Sequence, residues 1–500
     1  MAETTQTEIA GSAKTSPHFK PTLGLLDGTM IVAGSMIGSG IFIVSQDIVA
    51  RTGSAGWLIF VWLITGFMTI VAAVSYGELS GMFPKAGGQY IYLKEAYNPL
   101  TGFLYGWSFF SVIQTATIAA VAVAFAKFAG TFNNGFSARM ALTPANVALS
   151  LGPVQVHYAE LVAICLIVFL TWVNTRGIEG GKWIQRIFTV TKLLSLFGLV
   201  VFGFLLGFRH EIWQHNWTDA WAMKSMAPGR GGGILTSPVL GIAMFGAIAG
   251  GMSGSIFSSD AWNNVTFIAG EMKNPKRNIG MSLFLGTLIV TVIYVGANLM
   301  YLGVLPLDKI AFAPQQRVAN VAANVIFGPA GVYIIAVMIM ISTFGCDNGL
   351  ILAGARVYYS MSQDGLFFRQ AGRLNRKAVP GWALWAQCLV ASALCLSGRY
   401  NDLLVMISFV AVLSYALTVL GIFILRRRQP GAERTYKAFG YPVLPGVYIV
   451  VALVFCVALI LQEPKYSGIA ALIVLLGIPL YYLALSRQRN PEGSSKKTSN

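Results

Sequence analysis

The chain has 500 residues, of which 55% are hydrophobic and only 11% charged. A soluble domain carries about 25% charged residues, so this composition excludes a soluble enzyme and a disordered or fibrous protein, and points to a chain solvated mainly by lipid. The net charge of +16 resides in short loops between apolar stretches, which explains it without nucleic acid.

A spanning helix needs about 20 mostly apolar residues. Twelve stretches fit: 24–50, 56–82, 99–126, 158–175, 183–208, 236–268, 280–304, 330–360, 381–398, 401–425, 442–462 and 466–486. The loops between them are too short for a soluble domain. The polar ends, 1–23 and 487–500, are expected to be disordered tails, and the first holds no cleavable signal peptide. With the N-terminus placed inside, the inner segments hold 23 basic residues and the outer loops ten, while Lys192 and Arg356 fall within spans. Both termini are therefore expected in the cytoplasm of a cell-membrane protein.

The first span contains Gly34-Ser35-Met36-Ile37-Gly38-Ser39-Gly40-Ile41. Each interior glycine costs a helix about 1 kcal/mol relative to alanine. A break here would expose backbone polar groups that lipid cannot satisfy, so it would have to line a cavity or ligand. Gly34 and Gly38 also fit a small-residue packing motif, and the first span alone leaves both readings open. The sixth stretch favours the break. It exceeds 30 residues and is interrupted by Gly250, Gly251, Ser253, Gly254 and Ser255, with Ser258, Ser259, Asp260 and Asn263 following. Interrupted spans one and six point to an inverted-repeat transporter with its site at the repeat interface. The repeats would run 24–208 and 236–425, joined by the outer loop 209–235. Residues 442–486 would add two further spans.

A half-helix N-terminus offers free N–H groups, and the end of the preceding half offers free C=O groups. Together they suit a zwitterion. The N–H groups of Ser39 and Gly40 would take a carboxylate. The C=O of Met36, joined by carbonyls near Phe257, would face an ammonium. Ser35, Gly38 and Ser259 complete the candidate site.

The segments GSMIGSGIF (34–42), FPKAGGQYIYLKEAYNPL (83–100), FSSDAWNNVTFIAGEMKNPKRNIG (257–280), STFGCDNGLILAGARVYYSMSQDGLFF (342–368) and YPVLPGVYI (441–449) resemble those of amino-acid permeases of the amino acid–polyamine–organocation superfamily. The resemblance is greatest to bacterial relatives of the L-type amino-acid transporters. It implies an all-α membrane fold of five plus five inverted helices and two more, working by rocking alternating access. By position it implies that Ser39 and Gly40 hold the substrate carboxylate. Backbone carbonyls of Met36, Phe257 and Asp260 would hold the amine, with the Phe257 ring as a gate. Lys192 resembles a fifth-helix lysine that occupies the place of sodium in sodium-coupled relatives. Animal members often pair by disulfide with a glycoprotein through a cysteine in the third outer-side loop. Loop 127–157 has no cysteine, so no such accessory subunit is expected.

Charged groups inside spans cost about 2.5 kcal/mol or more and are functional candidates, but each has a plainer reading. Asp27 suits a helix cap, Asp260 suits the N-cap of the resumed sixth helix, and Arg356 can snorkel to the interface. Lys192 lies about 14 Å along its helix from Trp183, and either anchors the first span or snorkels toward Arg186. Asp347 is a candidate partner for Lys192. Gln114, Thr115, Thr117, Asn263 and Thr343 are candidate pocket residues, although threonines in helices often bond their own carbonyls. Phe257 could equally be a packing residue.

No phosphate-binding GxxxxGK[ST] loop is present, so ATP is not expected to drive the protein. The five cysteines lie in apolar stretches and the four histidines in loops or the tail, so neither disulfide, metal nor cofactor is expected. The reading is a secondary transporter of neutral L-amino acids, exchanging or importing them without sodium, and not an enzyme. A cationic amino-acid or polyamine carrier using Asp260 and Asp347 is the alternative within this class. A non-transporting amino-acid sensor is the alternative outside it.

Overall fold

The computed structural model of the protein describes residues 21–132, 147–151, 154–229, 233–396 and 400–489. Most of both expected tails, including His18, lies outside these residues, as do residues 133–146 and 152–153 of the cysteine-free loop.

Each of the twelve apolar stretches is helical. In order the spans are Leu25–Met36 continued by Gly40–Ile43 and Ser45–Thr52, Ala55–Met82, Pro99–Ser108 continued by Gln114–Ala129, Tyr158–Thr175, Ile178–Phe202, Ile242–Ser258 followed by Asn264–Phe267, Pro275–Val304, Pro329–Gln363, Gly381–Cys395, Tyr400–Arg428, Val443–Gln462 and Pro464–Arg489. Ten are long and apolar enough to cross a membrane, while the sixth and ninth are shorter. Local chemistry sets several starts. The Ser54 side chain accepts the Trp57 N–H at the second span, the Asn98 side chain accepts the Thr101 N–H at the third, and proline opens the third, seventh and eighth.

The sixth span begins at Ile242 rather than 236, because Ile234–Pro238 pairs with Lys224–Pro228 as an antiparallel hairpin. That hairpin belongs to a layer at one end of the bundle. Ala220 C=O there accepts the Gly56 N–H at 2.9 Å and the Ser54 hydroxyl, and Trp221 C=O accepts the Trp57 indole N–H at 3.0 Å.

The opposite, basic end is tied more tightly. Glu271, just past the sixth span, accepts the Thr22 and Leu23 N–H groups on its C=O at 2.9 and 3.0 Å, and Leu23 C=O accepts the Lys273 N–H at 2.8 Å. The Glu271 carboxylate receives two bonds from the Arg356 guanidinium, at 2.9 and 2.6 Å. Arg356 therefore does not snorkel: it is 3% exposed and spends its charge on an internal partner. This pair and the backbone bonds to Glu271 together fasten the start of the first span, the segment after the sixth and the later part of the eighth. Asp27 caps the first span as expected, accepting the Gly24 N–H at 3.0 Å.

Removing one member of such a pair leaves a buried uncompensated charge, a cost of about 3–5 kcal/mol. Arg356→Leu should therefore lower the thermal unfolding midpoint of the detergent-purified protein well below that of the wild type, and Glu271→Gln in the same chain should restore part of the loss. An unchanged midpoint in the single variant would show that the pair carries no such weight.

Candidate functional site

The first span is helical to Met36, passes through Ile37 in an extended conformation (φ −76°, ψ 93°), and resumes at Gly40. The break is real, and it leaves carbonyls without helical partners. Each of the five residues from Gly34 to Gly38 has its C=O met by a side-chain donor. Lys192 of the fifth span, 1% exposed, donates its ammonium to Gly34 and to Ile37, the latter at 3.0 Å. Cys346 of the eighth span donates its thiol to Ser35 at 3.2 Å. The Ser342 hydroxyl lies 3.2 Å from Ile37 C=O and 3.4 Å from Gly38 C=O. The Tyr294 hydroxyl of the seventh span is shared between Met36 C=O at 3.1 Å and Ser258 C=O at 3.0 Å. It thus bridges the first and sixth spans at the level of their breaks.

The sixth span breaks later than its glycines suggest. Gly250 to Ser258 are helical, and the interruption runs from Ser259 to Asn263 with Ala261 at φ +62°. The glycines serve close packing instead. A Cβ on Gly254 would lie 2.9 Å from the Val44 Cβ, and one on Gly251 would meet Ile48 at 3.5 Å. This face holds the resumed half of the first span. The approach is tightest at Gly40, where a Cβ would lie 1.9 Å from the Ser258 Oγ and 2.9 Å from its Cα. Ser39 is fully buried and Ser35 and Met36 are 3% exposed.

Phe257 precedes this break rather than following the interruption. It lies in the last turn of Ile242–Ser258, 6% exposed, and its C=O accepts the Asp260 N–H at 3.2 Å. Asp260 is not the cap of the resumed helix. That position belongs to Asn263, which makes no capping bond with its side chain, while the Asp260 carboxylate accepts the Tyr415 hydroxyl of the tenth span. Thr65, Thr69, Ser259, Asp260, Tyr415 and Tyr448 line a small cavity on that side of the sixth span.

The remaining candidates divide. Gln114 donates to Leu350 C=O at 2.5 Å, and Thr115, Thr117 and Thr343 donate to carbonyls of their own helices. A π-helical turn, Phe109–Ile113, precedes Gln114 and leaves Phe110 C=O for Thr115. Asn263 donates to the Gln89 side chain at 3.1 Å. Asp347 is not paired with Lys192, whose ammonium is spent on the first span. Tyr294, Ser342 and Cys346 are the residues that sequence reading missed. Each is a modest polar group in an apolar span, and only the position of the broken helix reveals its use.

A family model described as amino acid permease matches residues 23–483. The Asc-type amino acid transporter 1 of Mus musculus is 28% identical over 480 residues, covering 95% of this chain and 83% of its own length. The large neutral amino acids transporter small subunit 2 of Homo sapiens is 28% identical over 489 residues, covering 97% and 84%. The b(0,+)-type amino acid transporter 1 of Mus musculus is 27% identical over 468 residues, covering 92% and 87%.

Overpacking a close contact costs about 1–3 kcal/mol, so the approach at Gly40 gives a direct test. Gly40→Ala should weaken amino-acid binding about tenfold or more, because the new methyl must push Ser258 away. Adding Ser258→Gly should recover much of that loss in a calorimetric titration. Full affinity in Gly40→Ala would mean that the two breaks need not touch.

Proposed function

Because the chain belongs to the amino acid permease family, we propose that it carries neutral L-amino acids across the cell membrane by alternating access, without sodium. The observation that carries this reading is the Lys192 ammonium seated on the carbonyls of the broken first span. A helix broken at mid-membrane presents carbonyl oxygens of the kind that bind a small cation. A tethered ammonium there supplies the positive charge permanently, so no ion has to be taken up with the substrate.

The substrate carboxylate is assigned to the N–H groups of Ser39 and Gly40, at the start of the resumed half-helix. Its ammonium is assigned to the carbonyls of Met36 and the end of the sixth helix, in the region of Phe257 and Ser258. The Tyr294 hydroxyl bridges two of these carbonyls and is displaced when a stronger donor arrives. Spans one to five and six to ten act as inverted repeats. The tied basic end faces the cytoplasm together with both termini, as the bias of basic loop residues supports. The Phe257 ring covers the zwitterion and strengthens its head-group contacts by excluding water. The name of the large neutral amino acids transporter favours neutral substrates. Asp260, bordering a cavity, supports a second reading in which a cationic side chain is accepted, as the name of the b(0,+)-type relative leaves open. The cysteine-free outer loop supports a protein that works without a disulfide-linked partner.

Uptake of labelled neutral amino acids into proteoliposomes is expected to be equal in sodium and choline media. Lys192→Ala should slow turnover more than it weakens binding, since the lysine steadies the first span without touching substrate. A strict sodium requirement would sink the reading. An excess of a cationic amino acid should compete poorly, and strong competition would favour the second reading.

Phe257→Ala should cut the transport rate by about tenfold or more yet retain binding, whereas Phe257→Trp should keep more activity and prefer smaller substrates. Normal rate and selectivity in Phe257→Ala would remove the gate.

A further inference from the structure

Two loops at the basic end of the bundle bring cations together without matching carboxylates. The stretch 365–380, between the eighth and ninth spans, holds Arg369, Arg373, Arg376 and Lys377 and no acid. The stretch 175–186, after the fourth span, holds Arg176, Lys182 and Arg186 against Glu179 alone. Arg176, Arg369, Arg373, Arg376 and Lys377 are exposed, and none of these five forms an ion pair among the described residues. The acid that precedes the first stretch, Asp364, is taken by Lys94 at 2.7 Å and by the Tyr90 hydroxyl at 2.6 Å.

The two loops are joined and fixed. Asn375 donates its amide to Thr175 C=O at 2.9 Å, and its side-chain oxygen accepts the Lys377 and Val379 N–H groups at 2.9 and 3.1 Å. A Cβ on Gly177 would lie 3.8 Å from the Lys377 Cβ, so the stem of Lys377 runs over the residue next to Arg176. The Ser362 hydroxyl donates to Phe368 C=O at 2.8 Å, and the Gln363 amide to Gly372 C=O at 3.2 Å. Like charges repel and would spread apart on a free chain. These bonds hold them in one surface that is preorganised for an anion.

Exposed aromatic rings give the depth of this surface. Trp172, one turn before Arg176 on the fourth span, lies 4.7 Å from its guanidinium. Trp382 and Trp385 open the ninth span, and the Phe368 ring of the loop lies 5.4 Å from that of Trp382. All four rings are exposed. Tryptophans at span ends mark the headgroup level of a bilayer, so the cations beside them stand at the height of lipid phosphates. We propose that the joined loops bind the phosphate headgroup of an anionic phospholipid. Arg176 and Lys377 are its central contacts, and its acyl chains lie along the face that carries Trp172. An arginine offers paired N–H groups to phosphate oxygens and a lysine a point charge. A lipid joins that charge to an apolar chain, which a soluble acidic partner would not bring to the rings. The site is independent of which solute the protein carries.

Native mass spectrometry of the full-length protein in neutral detergent, with phosphatidylglycerol or phosphatidylcholine added, tests this. The wild type should retain phosphatidylglycerol in preference. Arg176→Gln with Lys377→Gln should weaken that retention about tenfold or more, at roughly fivefold for each charge removed. Arg373→Gln with Arg376→Gln should also weaken it, without disturbing the stack on Trp172. Arg427 and Lys437 are exposed at the same end, on the loop after the tenth span. Arg427→Gln with Lys437→Gln removes the same charge elsewhere and should retain lipid as the wild type does. Equal retention of the two lipids, full retention in the Arg176 and Lys377 variant, or equal losses in it and in the Arg427 and Lys437 variant would overturn the proposal. Inorganic phosphate at millimolar concentration should leave the lipid in place. Displacement by phosphate would assign the surface to a soluble anion and overturn the lipid site.

Discussion

A helix broken inside a membrane must find partners for its carbonyls, because lipid offers none. In this protein five consecutive carbonyls, Gly34 to Gly38, are met by Lys192, Cys346, Tyr294 and Ser342. These donors come from three different spans, the fifth, seventh and eighth. The break is therefore a junction at which the first span is attached to the bundle through donors that can be exchanged, unlike the fixed ladder of a continuous helix. A strong, charged donor anchors it at two points, and weaker thiol and hydroxyl donors hold the rest.

The small residues of the sixth span complement this junction. Gly250, Gly251 and Gly254 remain helical and form a surface against which residues Val44 to Arg51 lie closely. The interruption itself is displaced to Ser259–Asn263, where Ala261 adopts a left-handed conformation. The breaks thus meet end to side, with Gly40 against Ser258, and the Tyr294 hydroxyl joins them. At the basic end the Glu271–Arg356 pair and the backbone bonds from Thr22 and Leu23 tie the same spans together.

Much of this was legible in the sequence. Twelve apolar stretches became twelve helical spans, because length and hydropathy directly reflect the lipid solvent. The break in the first span was readable from Gly34, Gly38 and Gly40 once the sixth span was considered. Lys192 was readable because a mid-span lysine must have a partner. The position of the sixth break was not, since glycine runs serve helix contact and helix interruption alike. Arg356 misled for a related reason: the depth of a long side chain depends on whether a buried acid awaits it, and Glu271 lies 85 residues away. Tyr294, Ser342 and Cys346 gave no signal, because a hydroxyl or thiol in an apolar span usually bonds its own helix. That Asp347 is not paired with Lys192 could not be read either, since pairing depends on where the ammonium is already committed.

We propose that the broken first span is the place where a zwitterion is recognised, with Lys192 in the role of a bound cation. An experimental structure with a neutral L-amino acid bound, determined in sodium-containing buffer, tests this most directly. The substrate carboxylate is expected on the Ser39 and Gly40 N–H groups and its ammonium on the carbonyls near Met36 and Phe257. No sodium ion is expected on the Gly34 and Ile37 carbonyls. A substrate bound away from both breaks, or a sodium ion on those carbonyls with Lys192 turned aside, would contradict it.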